Sequence, residues 1–60
     1  MPYISIRVAG QLTDEQREQI VEEVTYTMLR VAGKPKAATY ITIDEVPRTH
    51  WAKEGKLLES

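Results

Sequence analysis

The chain has no cysteine and a single histidine, His50, among its 60 residues, so it closes no disulfide and cannot assemble a His/Cys metal site from its own side chains. It also lacks an excess of charge of either sign. Eight Lys/Arg against nine Asp/Glu leave a net charge of −1, with no cluster of positive residues of the kind that tracks a phosphate backbone, and this disfavours nucleic-acid binding. No apolar run approaches the roughly 20 residues of a membrane span, and the N-terminus lacks the charged and apolar regions of a secretory signal. Taken together, these absences predict a cytoplasmic protein with no membrane and no nucleic-acid partner.

Length is the remaining shortage. Sixty residues make one domain, 1–60, and a chain this short buries only about 60% of the surface that its unfolded form exposes. Small chains make up the deficit with disulfides, a metal or oligomerisation. Composition removes the first two, so a homo-oligomer is expected.

What the chain does have is clear periodicity. Tyr3-Ile4-Ser5-Ile6-Arg7-Val8 alternates, with Ile4, Ile6 and Val8 on one face and Tyr3, Ser5 and Arg7 on the other, which predicts a half-buried strand. Ala9 to Leu12 forms a short connection. Thr13-Asp14-Glu15-Gln16 then carries a capping box, in which Thr13 receives the Gln16 amide and Gln16 reaches back to the Thr13 amide. From Arg17 the apolar positions Ile20, Val24, Met28 and Val31, widened by Val21, recur at helical spacing, while Glu18, Glu22 and Arg30 lie off the stripe. Gly33 suits a left-handed helix end and Pro35 prevents resumption, so the helix is predicted over 14–32.

A second alternating segment, 39–44, places Ile41 and Ile43 on one face and ends near Val46-Pro47. Two strands joined by a helix of this length form a β-α-β unit with parallel strands and a right-handed crossover. The helix then covers the face carrying Ile4, Ile6, Ile41 and Ile43. Residues 48–60, with Trp51 and Gly55, show no sustained period and are expected to form a loop or short hairpin. The fold class is therefore α/β, and because a two-stranded parallel ribbon leaves both edges unpaired, strands of another subunit are expected to extend the sheet. A ribbon-helix-helix DNA binder also begins with a short strand and a helix, but the alternation over 39–44, where that fold needs a helix, and the negative net charge argue against it.

Pro2 stands directly behind the initiator Met1, at the start of the first strand, where a missing backbone N–H costs nothing. That is the plain structural account of it. A chain of this length with Pro2 followed by Tyr-Ile-Ser-Ile, the Thr13-Asp14-Glu15-Gln16 helix start, Pro35, the Ile41-Thr42-Ile43-Asp44-Glu45 strand end and the His50-Trp51 pair with Gly55 resembles the 4-oxalocrotonate tautomerase family along essentially its whole length. The resemblance implies dimers whose sheets join, commonly assembled as trimers of dimers to give a hexamer, with each active site lined by neighbouring subunits. It implies removal of Met1 and a catalytic Pro2, with an enol or keto acid as the small-molecule substrate and no cofactor or metal. It also implies substrate-binding roles at Leu12, Tyr40 and Trp51.

The chemistry of Pro2 fits that implication. With Met1 attached, its nitrogen is an amide with no useful basicity; once Met1 is removed it is a secondary amine. Free α-amino groups titrate near 7.7–8.0, so a base working at neutral pH needs its value depressed, which burial among apolar groups does by disfavouring the ammonium form. Ile4, Leu12 and Trp51 are the apolar material on offer. The chain departs from the family at the two positions where well-studied members carry arginine, which here are Leu12 and Tyr40. Leucine cannot replace a bidentate arginine–carboxylate contact, so tight handling of a dicarboxylate is not expected. Tyr40 is either a hydrogen-bond donor to a developing enolate oxygen or a residue packed on the sheet surface. Trp51 is either the dry wall of the pocket or an anchor of core or interface. Arg7, Lys36 and Arg48 read as solvated charges, His50 matches no catalytic position, and Glu54 stands where many members have glycine. Two alternatives stand beside the tautomerase: a non-catalytic assembly with the same fold, and a relative acting as hydratase, dehalogenase or decarboxylase on a three-carbon acid.

Overall fold

In the computed structural model, which describes residues 2–58, the predicted order is observed. Strand β1 (Tyr3–Ala9) leads to helix α1 (Asp14–Ala32), then to strand β2 (Tyr40–Val46), and a short hairpin of β3 (Ala52–Lys53) and β4 (Lys56–Leu57) closes the described chain. β1 and β2 pair in parallel with Ile4 opposite Ile41, Ile6 opposite Ile43 and Val8 opposite Glu45. The even-numbered residues of β1 and the odd-numbered residues of β2 from Ile41 to Glu45 are half-buried on the inner face. Tyr3, Ser5, Arg7, Tyr40, Thr42 and Asp44 are exposed on the outer one.

Both ends of α1 are built as its sequence demands. The Gln16 N–H donates to Thr13 Oγ1 at 3.1 Å and the Thr13 N–H to Gln16 Oε1 at 2.9 Å, while Asp14 and Glu15 place negative charge on the positive end of the helix dipole. At the other end Gly33 adopts φ +67°, a conformation that costs any side chain with a Cβ, and donates its N–H to Leu29 O at 3.0 Å. Arg17, Ile20, Val21, Val24, Thr25 and Met28 form the half-buried stripe. Val31, expected on that stripe, is instead 69% exposed. Nineteen helical residues span about 28 Å and seven strand residues about 23 Å, so the last helical turn overhangs the sheet it would cover.

The strand boundaries move for local reasons. β2 starts at Tyr40 rather than 39 because Thr39 is spent on a 3₁₀ turn over Lys36–Ala38, its N–H going to Lys36 O at 3.2 Å and its hydroxyl to Pro35 O at 2.9 Å. It runs on to Val46, and β1 to Ala9, because those two residues still pair. The tail resolves as a hairpin. Lys53 pairs with Lys56, so the loop is Glu54-Gly55 with φ of +54° and +79°, the signs of the two-residue turn that matches strand twist. Glycine is free there; Glu54 holds a left-handed backbone despite its side chain, a conformation that glycine would adopt without that cost.

None of the described side chains is fully buried. The radius of gyration is 14.3 Å, against about 10 Å for a compact chain of 60 residues, and 4877 Å² of surface is accessible where a compact monomer of this mass exposes roughly 4000 Å². One protomer supplies only half of a core. Among the described residues, no helix is long and apolar enough to cross a membrane.

Candidate functional site

The sheet has two ends, and the candidate residues divide between them. At the start of both strands the Tyr40 N–H donates to Pro2 O at 3.0 Å, which extends the ladder one residue beyond Tyr3 and pins the half-buried Pro2 in line with β1. Alternation carries the Tyr40 phenol to the outer face, where it is 55% exposed beside Tyr3, its partner in register. The Tyr3 hydroxyl shares a 3.1 Å hydrogen bond with Thr42 Oγ1. Pro2 and Tyr40 are thus joined through backbone, with the tyrosine side chain on the surface that the protomer leaves open.

Leu12 lies at the opposite end. Gly10 N–H donates to Val46 O at 2.8 Å and Leu12 N–H to Glu45 Oε1 at 2.9 Å, so the connection after β1 is fastened to the end of β2. Seven strand residues separate this point from Pro2, about 23 Å of extended chain. Leu12 of a chain therefore cannot shelter Pro2 of the same chain. Leu12 instead lines an open depression of about 290 Å³ with Gln16, Gln19, Ile20 and Glu23 of α1. Trp51 follows β2 by five residues, half-buried at the base of the hairpin, where its carbonyl accepts the Leu58 N–H at 2.8 Å. Met1, whose removal the resemblance implies, lies outside the described residues.

Two residues with no expected role stand out at the Leu12 end. Arg17 Nη1 donates to Glu45 Oε2 at 2.6 Å and to Leu12 O at 2.9 Å, and Arg17 Nη2 pairs with Asp14. The Leu12 amide, and after it the Arg17 guanidinium, hold the Glu45 carboxyl below its ordinary range. Glu45 in turn holds the Arg17 guanidinium above its usual value, against a smaller opposing effect of burial and with help from Asp14. The signal for both was in the pattern: Arg17 occupies the phase of the apolar helix stripe, and Glu45 has the inward parity of Ile41 and Ile43. Opposite charges at two inward positions of facing elements imply a pair.

Comparison with known proteins agrees with this architecture. Residues 2–60 match the family model described as tautomerase enzyme. The 2-hydroxymuconate tautomerase of Bacillus subtilis is 33% identical over 58 residues, covering 97% of this chain and 94% of its own. A 4-oxalocrotonate tautomerase isozyme from Methylibium petroleiphilum superposes with a TM-score of 0.89 at 29% identity, over 97% of this chain and 94% of the other. A heterohexameric 4-oxalocrotonate tautomerase from Chloroflexus aurantiacus shares the fold, with a TM-score of 0.88 at 24% identity over 97% and 94% of the two chains. The β-α-β order, the parallel pair of strands, the terminal hairpin and these full-length matches lead to one conclusion: the chain belongs to the 4-oxalocrotonate tautomerase family and is by class an isomerase.

Proposed function

We propose that Pro2, once Met1 is removed, is the general base and acid of a keto–enol isomerisation of an enol or 2-oxo acid. The observation that carries this reading is the Tyr40 N–H to Pro2 O bond, which holds the ring in strand register and leaves its nitrogen as the chain's first atom once Met1 is gone. A ring so held has little orientational freedom left to lose when substrate arrives. The neutral amine accepts the proton of the enol hydroxyl, the C–O bond becomes a carbonyl, and the resulting ammonium returns a proton to a carbon along the conjugated system. Substrate and product have the same composition, and no cofactor is required. Negative charge gathers transiently on the substrate oxygen, where a hydrogen-bond donor such as the Tyr40 hydroxyl has its use.

A complete site on this reading spans copies of the chain. Pro2 and Leu12 mark opposite ends of one protomer, Tyr40 projects from an open face, and the protomer leaves an unfinished core, so an oligomer in which one copy's Leu12 end meets another's Pro2 end supplies both burial and site. Assembly as a hexamer, as in the Chloroflexus relative, fits this need. Burial in that assembly is what keeps the Pro2 amine uncharged at neutral pH.

The test combines intact mass with an ultraviolet assay of phenylenolpyruvate and 2-hydroxymuconate ketonisation by wild type and Pro2→Ala. The expected result is a mass lacking Met1 and a loss of about 10² to 10⁴ in rate for Pro2→Ala. Equal rates would leave a non-catalytic scaffold as the surviving account.

A further inference from the structure

Three hydrogen bonds form a closed ring around the peptide groups of Leu12. Its N–H goes to one oxygen of Glu45 at 2.9 Å, the other oxygen receives Arg17 Nη1 at 2.6 Å, and the same nitrogen reaches the Leu12 carbonyl at 2.9 Å. The Gly10 to Val46 bond fixes the chain two residues earlier. Leu12 is thereby held by β2 and α1 together, with its side chain on the wall of the 290 Å³ depression beside Ile20. The guanidinium is engaged as well, through three of its five N–H donors. Its two terminal nitrogens face Glu45 and Asp14, so its fork is occupied by carboxylates of its own chain rather than offered to a ligand.

We infer that Glu45, acting through Arg17 and the Leu12 peptide, determines specificity at this end of the site: it positions Leu12 as an apolar wall and withholds the adjacent guanidinium from substrate, so that the site takes a 2-oxo acid whose far end is apolar. The inference rests on the tautomerase reading above, which brings substrate to Leu12. It adds the cause of the selectivity. A cation already lies within one side chain of Leu12, and a single carboxylate on β2 keeps it from serving as a carboxylate anchor. Glu45 is a positioning residue, touching no reacting atom.

Two measurements on the assembled protein test this. Hydrogen exchange at the Leu12 amide requires no turnover: Glu45→Ala removes the acceptor and is expected to speed exchange at Leu12 about tenfold beyond whatever acceleration the amides of Ile6 and Val24 show from the general loss of stability. The second is the ratio of kcat/KM for 2-hydroxymuconate, with two carboxylates, to that for phenylenolpyruvate, with one carboxylate and a phenyl end. In Glu45→Gln this ratio is expected to rise about tenfold, through KM, as the freed guanidinium takes the second carboxylate. Adding Arg17→Met should return the ratio to the wild-type value. A ratio unmoved by Glu45→Gln, a rise that survives Arg17→Met, or equal losses with both substrates would overturn the inference. Should Glu45→Gln not fold, Glu45→Asp, which withdraws the charge by one methylene, is expected to give a smaller rise, and no rise there counts equally against it. If wild type and Pro2→Ala prove equally inactive, the tautomerase reading fails and takes the specificity claim with it, whereas unchanged Leu12 exchange in Glu45→Ala refutes the ring alone.

Discussion

Asp44 and Glu45 are neighbours on β2, each paired with an arginine, and the two pairs lie on opposite faces of the sheet. Arg7 and Asp44 stand opposite each other in the ladder on the outer face, 3.1 Å apart, with side chains 64% and 56% exposed. Arg17 and Glu45 meet on the inner face at 2.6 Å, with side chains 35% and 21% exposed. Among the described residues, the first pair makes no side-chain hydrogen bond beyond the one between its two members. The second also holds a backbone N–H and a backbone carbonyl of the connection after β1. One step along a strand thus turns an exchangeable surface contact into a structural joint, because side-chain parity decides whether a carboxylate meets water or the other elements of the fold.

The largest expected effect separates these two carboxylates directly. Glu45→Ala leaves Arg17 and the Leu12 amide without their partner in a half-buried place, and its melting temperature is expected to fall well below wild type, together with the loss of Leu12 protection described above. Equal losses from Asp44→Ala and Glu45→Ala would break the comparison at once.

Acid should reproduce the inner loss without a mutation. Glu45 is held below its ordinary range in the folded chain by the Leu12 amide and Arg17, so its contribution to stability is present above the unfolded-state value and disappears as pH falls through the folded one. The charged groups around it are Arg17, which stays protonated throughout, and Asp14, which shares that arginine. The gap in melting temperature between wild type and Glu45→Gln is therefore expected to be constant near neutrality and to close in acid, below the normal carboxylate pKa of about 4.3. A gap that persists undiminished to pH 2 would show that it comes from packing and not from the ionised carboxylate.

The same parity argument marks how far the sequence could be read. The strands, the helix from Thr13 to Gly33 and their order follow from period and capping, because each is written in local spacing that the tertiary structure has no reason to override. The tail was open between loop and hairpin because strands of two residues are too short to show a period, and only the Glu54-Gly55 turn selects the hairpin. Val31 misled because periodicity assigns a face to a helix but not the length of the sheet beneath it. Leu12, Tyr40 and Trp51 carry no physical mark of a site in their spacing; their roles come from the resemblance, and a single protomer scatters them. Arg17 and Glu45 went unread although their signal was there, since a charge at an apolar phase of α1 and another of opposite sign at an inward position of β2 are misfits that satisfy each other.

The smallest expected effect carries the most information about assembly. Taken alone, the outer-face pair is solvated on both sides, and pairs of this kind contribute about 0 to 1 kcal/mol, less in salt. Asp44→Ala is therefore expected to cost no more than about 0.5 kcal/mol by denaturant unfolding, and 0.5 M sodium chloride should remove most of that difference. Yet the outer face also carries Tyr3 and Tyr40, 64% and 55% exposed, an unusual amount of aromatic surface for a side that meets only water. If another copy covers this face, Arg7 and Asp44 lose their water and their screening together, and Asp44→Ala then leaves an unpaired guanidinium inside an interface. The cost would rise above 1 kcal/mol, become insensitive to salt and depend on protein concentration. That pattern would bring the two pairs onto equal terms and would locate the subunit contact on the outer face, with the Tyr40 phenol inside it.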